Sequence, residues 1–259
     1  MFPTVSRNRR LDWRTLSALL GGLLVVYYLL PLFTLFEAAS PGTLLGSATD
    51  PTVGGAATTS VLASLTSTAM AGLFGVPLAY WLARTDGRLG RVVLVVVVVP
   101  LVLPPVVSGM LLVGIVGGAG PLGEFGLSRS FWGVVLAQTF VASPLVVVTA
   151  RTAFRGVDAD VRNASRVLGC TPWESFRHVA LPIAWPGVLA GLALAFARAM
   201  GEFGATVVVA YYPRTLPVQV WVSFTSAGVD AAFPVALVLV VVSLAVLALV
   251  ATLGVLPGR

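Results

Sequence analysis

The sequence predicts an all-α, polytopic transmembrane protein of six helical spans with both termini in the cytoplasm. Three observations carry that expectation: six apolar segments reach membrane length, charged residues are too few to clothe a water-facing surface, and the arginines fall almost entirely on one side. Of 259 residues, 58% are apolar and 10% charged, against about 25% charged in soluble chains.

The spans lie near 16–36, 58–83, 92–117, 131–150, 184–210 and 233–256, each reaching the roughly 20 residues that cross about 30 Å of hydrocarbon. Arg7, Arg9, Arg10 and Arg14 precede the first. Its apolar run is longer than a secretory h-region, and Glu37-Ala38-Ala39-Ser40 offers no convincing cleavage site, so it is expected to be a retained helix. Between spans two and three stand Arg84, Arg88 and Arg91; between four and five stand Arg151, Arg155, Arg162, Arg166 and Arg177; Arg259 ends the chain. Those thirteen face only Arg129 and Arg214 on the other side, with Arg198 inside the fifth span. The positive-inside rule makes the thirteen cytoplasmic. The net charge of +6 therefore reports topology and gives no reason to expect nucleic acid. The outer stretches 37–57, 118–130 and 211–232 read as turn-rich loops too short for a soluble module. The chain is expected to be one membrane domain, 1–259, with its core at about 58–256.

Absences narrow the chemistry. All 16 basic residues are arginine, and a Walker A loop needs a lysine at the phosphates, so ATP is not expected to be held that way here. Cys170 is the single cysteine, which leaves no intrachain disulfide. His178 is the only histidine and has no neighbours at metal-ligand spacing. No nucleophile–base set or carboxylate pair sits at one depth, which argues against an intramembrane enzyme.

Two spans carry helix breakers. Pro100, Pro104 and Pro105 interrupt the third in V-P-L-V-L-P-P-V-V-S-G, where missing backbone donors bend a helix and the freed carbonyls need local partners. A bent helix lining an enclosed path and a packing kink both fit this pattern. Gly72, Gly75, Gly187 and Gly191 allow close helix approach. Arg198 and Glu202 share a face of the fifth span at i, i+4 and can pair. Intramembrane charges are functional suspects, yet a lone glutamate would repel a dianion, so a structural pair is favoured over a gate element, and a gate over substrate contact. Thr59, Ser64, Ser67, Thr68, Gln138, Thr139 and Ser143 are expected to hydrogen-bond between helices more than to line a hydrated path.

The stretch Arg162–Pro182 is polar, arginine-bearing and set between two membrane-length segments. Asp158-Ala159-Asp160 places negative charge at a helix start, Ala164, Val167 and Leu168 give a modest apolar face, and Gly169 fits a helix C-terminus. Thr171-Pro172-Trp173-Glu174 fits a second start, with Thr as N-cap, Pro first and Glu third. That helix is expected to end near Leu181-Pro182, giving a helix–turn–helix along the cytoplasmic face.

This arrangement resembles the signature loop of binding-protein-dependent ABC importer permeases, E-A-A, three residues, G, then about nine residues before I-x-L-P. Ala164 and Ser165 stand at the alanines, Gly169 at the glycine, and Val179-Ala180-Leu181-Pro182 at the ending; the usual glutamate falls on Arg162 or Asn163. Val99–Gly109 and Pro182–Thr206 resemble the molybdate, tungstate and sulfate permeases, and Ala210-Tyr211-Tyr212-Pro213 the archaeal tungstate/molybdate branch.

The resemblance implies the MetI-like permease fold. It implies a coupling loop at about 156–182 carried by Arg162, Asn163, Ala164, Ser165, Gly169, Leu181 and Pro182, and a path or gate at Pro104, Pro105, Ser108, Arg198 and Glu202. It also implies partners: a pair of ATP-binding subunits holding ATP and Mg, a second permease copy, an extracytoplasmic oxyanion-binding protein and the lipid bilayer. No cofactor is expected in this chain. Molybdate or tungstate is the implied cargo, with sulfate, thiosulfate or phosphate as alternatives. A carrier driven by an ion gradient would instead show inverted repeats and midplane ionisable residues.

Overall fold

The computed structural model describes residues 13–38 and 41–252. Arg7, Arg9, Arg10 and Arg259, and with them the expected cytoplasmic termini, lie outside the described residues. Every regular element among the described residues is helical: α1 Trp13–Ala38, α2 Pro41–Thr49, α3 Pro51–Arg84, α4 Arg88–Val102, α5 Pro105–Val116, α6 Phe131–Arg155, α7 Ala159–Val167, α8 Pro172–Ser175, α9 Leu181–Met200, α10 Gly204–Val209, α11 Leu216–Ala227 and α12 Val229–Thr252. A single 3-10 turn covers Gly123–Phe125, and a π-helical turn, Phe176–Ala180, joins α8 to α9. Five described helical segments are long and apolar enough to cross a bilayer, and the bent pair α4–α5 makes a sixth span when taken together.

α3, α6 and α9 form the centre. Their contact faces are built from small residues: Ala63, Ala71 and Ala79 on α3, Ala137, Ala142 and Ala150 on α6, and Ala195 and Ala199 on α9 are buried. Between helices in lipid no hydrophobic drive operates, so close backbone approach supplies the packing energy. A side chain at Gly191 would meet Thr149 Cβ at 3.2 Å and Val146 Cα at 3.3 Å, and one at Gly72 would meet Leu192 Cδ2 at 3.0 Å. The large apolar side chains point outward instead: Leu23, Leu73, Val95 and Leu244 are well exposed, as expected where the solvent is hydrocarbon.

Several boundaries differ from the sequence expectation. α3 starts at Pro51 rather than near 58, because Asp50 caps it; its carboxylate accepts from the Thr52 N–H and hydroxyl, each at 2.7 Å. Those bonds, the hydroxyl's first, hold the Asp50 carboxyl below its usual range. The stretch 37–57 therefore contains α2 and the first turns of α3, and 211–232 contains α11. At 12 residues α11 is too short to cross the membrane, so a search for spans passes over it. Gly228, at φ +86°, ends it, and α12 returns beside it.

The third segment is two helices bent by 114°. Two adjacent prolines remove two donors, and the residue before a proline is pushed out of the α region; Leu103 is extended at ψ 137°. The fifth segment ends at Met200, ten residues early, and α10 continues after Gly201-Glu202-Phe203.

Candidate functional site

Two places gather the residues singled out by the sequence. The first is the insert between the fourth and fifth spans. Asp158 caps α7 by accepting from the Asp160 N–H at 2.8 Å, and Asp160 and Arg166 sit in its first and last turns, both favourable to the helix dipole. The far end closes with paired backbone bonds, Gly169 N to Arg166 O and Cys170 N to Ser165 O, each 3.0 Å. Gly169 adopts φ +91°, which a glycine reaches without a Cβ penalty. Arg162 turns inward, its Nη1 donating to Val157 O at 2.8 Å, while Asn163 and Ala164 are exposed. Ser165, at the position of the second family alanine, is buried; it donates to Arg162 O at 2.7 Å and shares a 2.8 Å hydrogen bond with Ser175. That bond locks α7 onto α8.

The apolar residues at the end of α7 face outward. Val167 is 88% exposed and Leu168 84%, with Trp173 and Val161 also exposed. Sequence periodicity gives them a face but not its direction, and no element among the described residues covers them.

α8 begins as expected. The Thr171 N–H and hydroxyl both donate to Glu174 Oε2 at 2.8 Å, and the Glu174 N–H donates to Thr171 Oγ1 at 3.3 Å. The expected stop at Leu181-Pro182 is absent. The helix instead widens into the π turn, with the Leu181 N–H reaching Phe176 O, and runs on as α9. Pro182 lacks an N–H and its ring crowds the carbonyl four residues back; a five-residue turn ahead of it relieves that crowding without breaking the rod. Leu181 is half-buried and Pro182 exposed.

The rod is anchored by an aromatic cluster that the sequence reading missed. Phe176 stacks on Tyr80 of α3 with centroids 4.7 Å apart, on Phe154 of α6 at 6.0 Å and on Trp173 at 5.4 Å; Tyr80 and Phe154 meet edge-on at 5.2 Å. Residues so far apart in sequence leave no local signal.

The second place is the broken-helix junction. Pro105 and Gly109 of α5 lie flush on α10. A side chain at Gly204 would meet Pro105 Cβ at 2.8 Å, and one at Gly109 would meet Val208 Cβ at 2.8 Å and Ala205 O at 2.9 Å. Glu202 is 1% exposed; its Oε1 accepts from the Ala205 N–H at 2.7 Å, and its Oε2 pairs with Arg198 Nη1 at 2.5 Å. The carboxylate thus satisfies a free donor at the start of α10 and is neutralised by an arginine whose side chain is 31% exposed. Ser108 and Thr206 are fully buried in α5 and α10, their hydroxyls without hydrogen-bond partners among the described residues. Pro104 is exposed.

Of the other polar candidates, Ser67 donates to Gln138 Oε1 at 3.3 Å, Ser64 to Met200 Sδ at 3.7 Å, and Thr68 to Ser64 O at 2.6 Å. These are contacts within and between helices. Thr139 and Ser143 border a cavity of about 250 Å³ that also meets Pro100.

Residues 75–256, well over half the chain, match the family described as "Binding-protein-dependent transport system inner membrane component". The chain belongs to that family. It is a multi-pass membrane permease, a transport subunit rather than an enzyme, and importers of this kind work with an ATP-binding subunit and a substrate-binding protein. A probable molybdenum ABC transporter permease protein of Haloferax volcanii is 57% identical over 247 residues, covering 95% of this chain and 92% of that protein. A molybdate/tungstate transport system permease protein of Pyrococcus abyssi is 35% identical over 233 residues, covering 89% and 91%. A molybdenum transport system permease protein of Mycobacterium tuberculosis is 37% identical over 241 residues, covering 89% and 90%.

The permease fold is shared with a bacterial alginate ABC transporter solved with its pentasaccharide-bound periplasmic protein, at TM-score 0.68, 16% identity and coverage of 92% and 93%. It is shared also with an amino acid ABC transporter solved with histidines, at TM-score 0.58, 20% identity and coverage of 78% and 92%.

Proposed function

We propose that this permease passes molybdate or tungstate across the cell membrane, driven by ATP and Mg bound on partner ATP-binding subunits. The chain acts as a single membrane domain, and a second copy of it completes the path. An extracytoplasmic oxyanion-binding protein delivers the anion. The relatives named for molybdenum and tungsten support the cargo; titrating the cognate binding protein with tungstate, molybdate and sulfate decides among the oxyanions.

One observation carries the coupling role: the insert ends in exposed Val167 and Leu168 and is fused at its base, without a helix break, to α9. An apolar tip on a stiff rod fits a socket on an ATP-binding subunit, and the rod transmits that subunit's movement to the membrane. Residues 156–182 then form the coupling loop, with Arg162, Asn163, Ala164, Ser165, Gly169, Leu181 and Pro182 shaping it. The family's usual glutamate falls on Arg162 or Asn163, neither of them acidic; Arg162 donates to Val157 O and Asn163 is exposed. At the other site, Pro104, Pro105, Ser108, Arg198 and Glu202 shape the gate region, with the Arg198–Glu202 pair holding the helix break.

The test is Gly169→Asp. A side chain at φ +91° carries about 1–3 kcal/mol of backbone strain and disturbs the tip. Oxyanion uptake and binding-protein-stimulated ATP hydrolysis by the reconstituted complex are expected to fall together by at least tenfold. Unchanged uptake would remove the loop from the coupling path.

A further inference from the structure

Most arginines of this permease serve the cytoplasmic side; on the other side stand Arg129 and Arg214, and the second is built into the protein. Arg214 is half-buried between α10 and α11. Its Nη1 donates to Gln219 Oε1 at 3.1 Å and its Nη2 to the Tyr212 hydroxyl. Its guanidinium lies over the Tyr211 and Tyr212 rings, 5.5 and 4.8 Å from their centroids. Among the described residues the Nε–H is buried without an acceptor and no carboxylate comes within 4 Å of the guanidinium. A partly desolvated cation with a free donor and no counter-charge is electrostatically incomplete.

The side chains that accept from it are left as donors. Because Gln219 Oε1 and the Tyr212 oxygen both accept from Arg214, the carboxamide NH₂ and the phenol hydrogen remain to be donated. All three side chains border one cleft of about 410 Å³, walled on the α3 side by Pro51, Thr52 and Thr59. The two threonine hydroxyls are already donated, to Asp50 Oδ1 and to Gly55 O, so they shape the wall. The donors left are a guanidinium, an amide and a phenol, the set that suits an oxyanion.

Its depth suits arrival from outside. The Leu216 N–H donates to Ser60 Oγ at 2.7 Å, fixing the Arg214 loop to α3. Ser60 stands about 36 Å along α3 from Arg84 at the cytoplasmic end, by the rise of a helix, which exceeds the hydrocarbon thickness of about 30 Å.

We propose that Arg214, with Tyr212 and Gln219, forms a receiving site for a tetrahedral oxyanion on the extracytoplasmic face, taking the anion from the binding protein before it enters the path. This rests on the oxyanion reading of the permease. One guanidinium without a second cation binds weakly, as a site that must release its cargo inward requires.

The test uses the full complex in proteoliposomes with molybdate-loaded binding protein. It measures initial molybdate uptake, binding-protein-stimulated ATP hydrolysis and binding-protein association. Arg214→Gln is expected to lower uptake at least tenfold while hydrolysis and association stay within twofold; Arg214→Lys, which keeps the charge but not the fork, falls between. Should Arg214→Gln fail to assemble, Arg214→Lys and Tyr212→Phe, at an exposed ring, carry the same comparison, each with a three- to fivefold loss of uptake. Wild-type uptake in these variants overturns the site. So does a loss of binding-protein association equal to the loss of uptake, since the guanidinium then pairs with a carboxylate of that protein. A wild-type complex that moves neither molybdate nor tungstate but another solute overturns the cargo reading; a variant indifferent in a complex that does move molybdate overturns this site alone.

Discussion

Replacing Gly187 by alanine probes the packing that ties the coupling rod to the body of the permease. A methyl at Gly187 would interpenetrate the Ala153 methyl of α6, while the next heavy atom, Ala153 Cα, lies 3.7 Å away, an ordinary contact. The collision is with one methyl group only. Overpacking a close helix interface costs about 1–3 kcal/mol, and the better helix propensity of alanine offsets about 1 kcal/mol of it. Gly187→Ala should therefore lose about 0–2 kcal/mol. Ala153→Gly alone should lose about 1 kcal/mol. The double variant moves the methyl from α6 to α9, conserves volume and cancels the two propensity terms, so it should lie within about 0.5 kcal/mol of the parent. The assay is the thermal unfolding midpoint of the detergent-purified complex for the parent, both singles and the double, with uptake measured alongside. Additive singles, with the double variant no more stable than their sum, would refute the contact.

Phe176→Ala removes the ring shared by Tyr80, Phe154 and Trp173. It should cost about 3–5 kcal/mol and lower uptake per ATP hydrolysed, because the rod loses its anchor while the tip proposed to meet the ATP-binding subunit is untouched; a parental transport-to-hydrolysis ratio would contradict this. Glu202→Gln keeps an acceptor oxygen for the Ala205 N–H and should retain uptake within about threefold. Glu202→Ala strands that donor and should lose about 1–3 kcal/mol of stability; equal uptake loss in the two would mean that the charge itself is required.

The local features of this fold were legible because each is written in a few adjacent residues. The capping box at Thr171–Glu174, the Asp158 cap, the positive φ at Gly169 and the bend at Pro104-Pro105 all follow from residue types that permit little else. Gly187 and Gly191 marked a close helix approach before their partners on α6 were known. What was not legible depends on partners distant in the chain. Whether Val167 and Leu168 face inward or outward depends on where α8 comes to lie, and the Ser165–Ser175 bond decides that. Proline alone signals a stop, yet the helix continues through Leu181-Pro182; the π turn that allows this depends on Phe176 being held by α3 and α6. Arg214 stood out only as one of two outer arginines; its cleft needs the bond from Leu216 to Ser60 across 156 residues.

The helix breaks have a common physical logic. Backbone freed inside a bilayer must find partners in the protein, so a break can persist only where something else is packed against it. Here the two breaks serve each other. α5 begins at Pro105 and α10 at Gly204, and the absence of a Cβ at Gly109 and Gly204 lets the two helices touch along their backbones. Glu202 supplies the acceptor for α10, and Arg198 neutralises it. Interfaces this close do not deform gradually, so α5 and α10 move as one piece or separate. α9 runs about 30 Å from Leu181 to Met200 by the rise of a helix. The insert joins this junction through a helix that carries a π turn at Phe176–Ala180 and Pro186 in its interior, and Gly201–Phe203 is the first place along it where the helix stops.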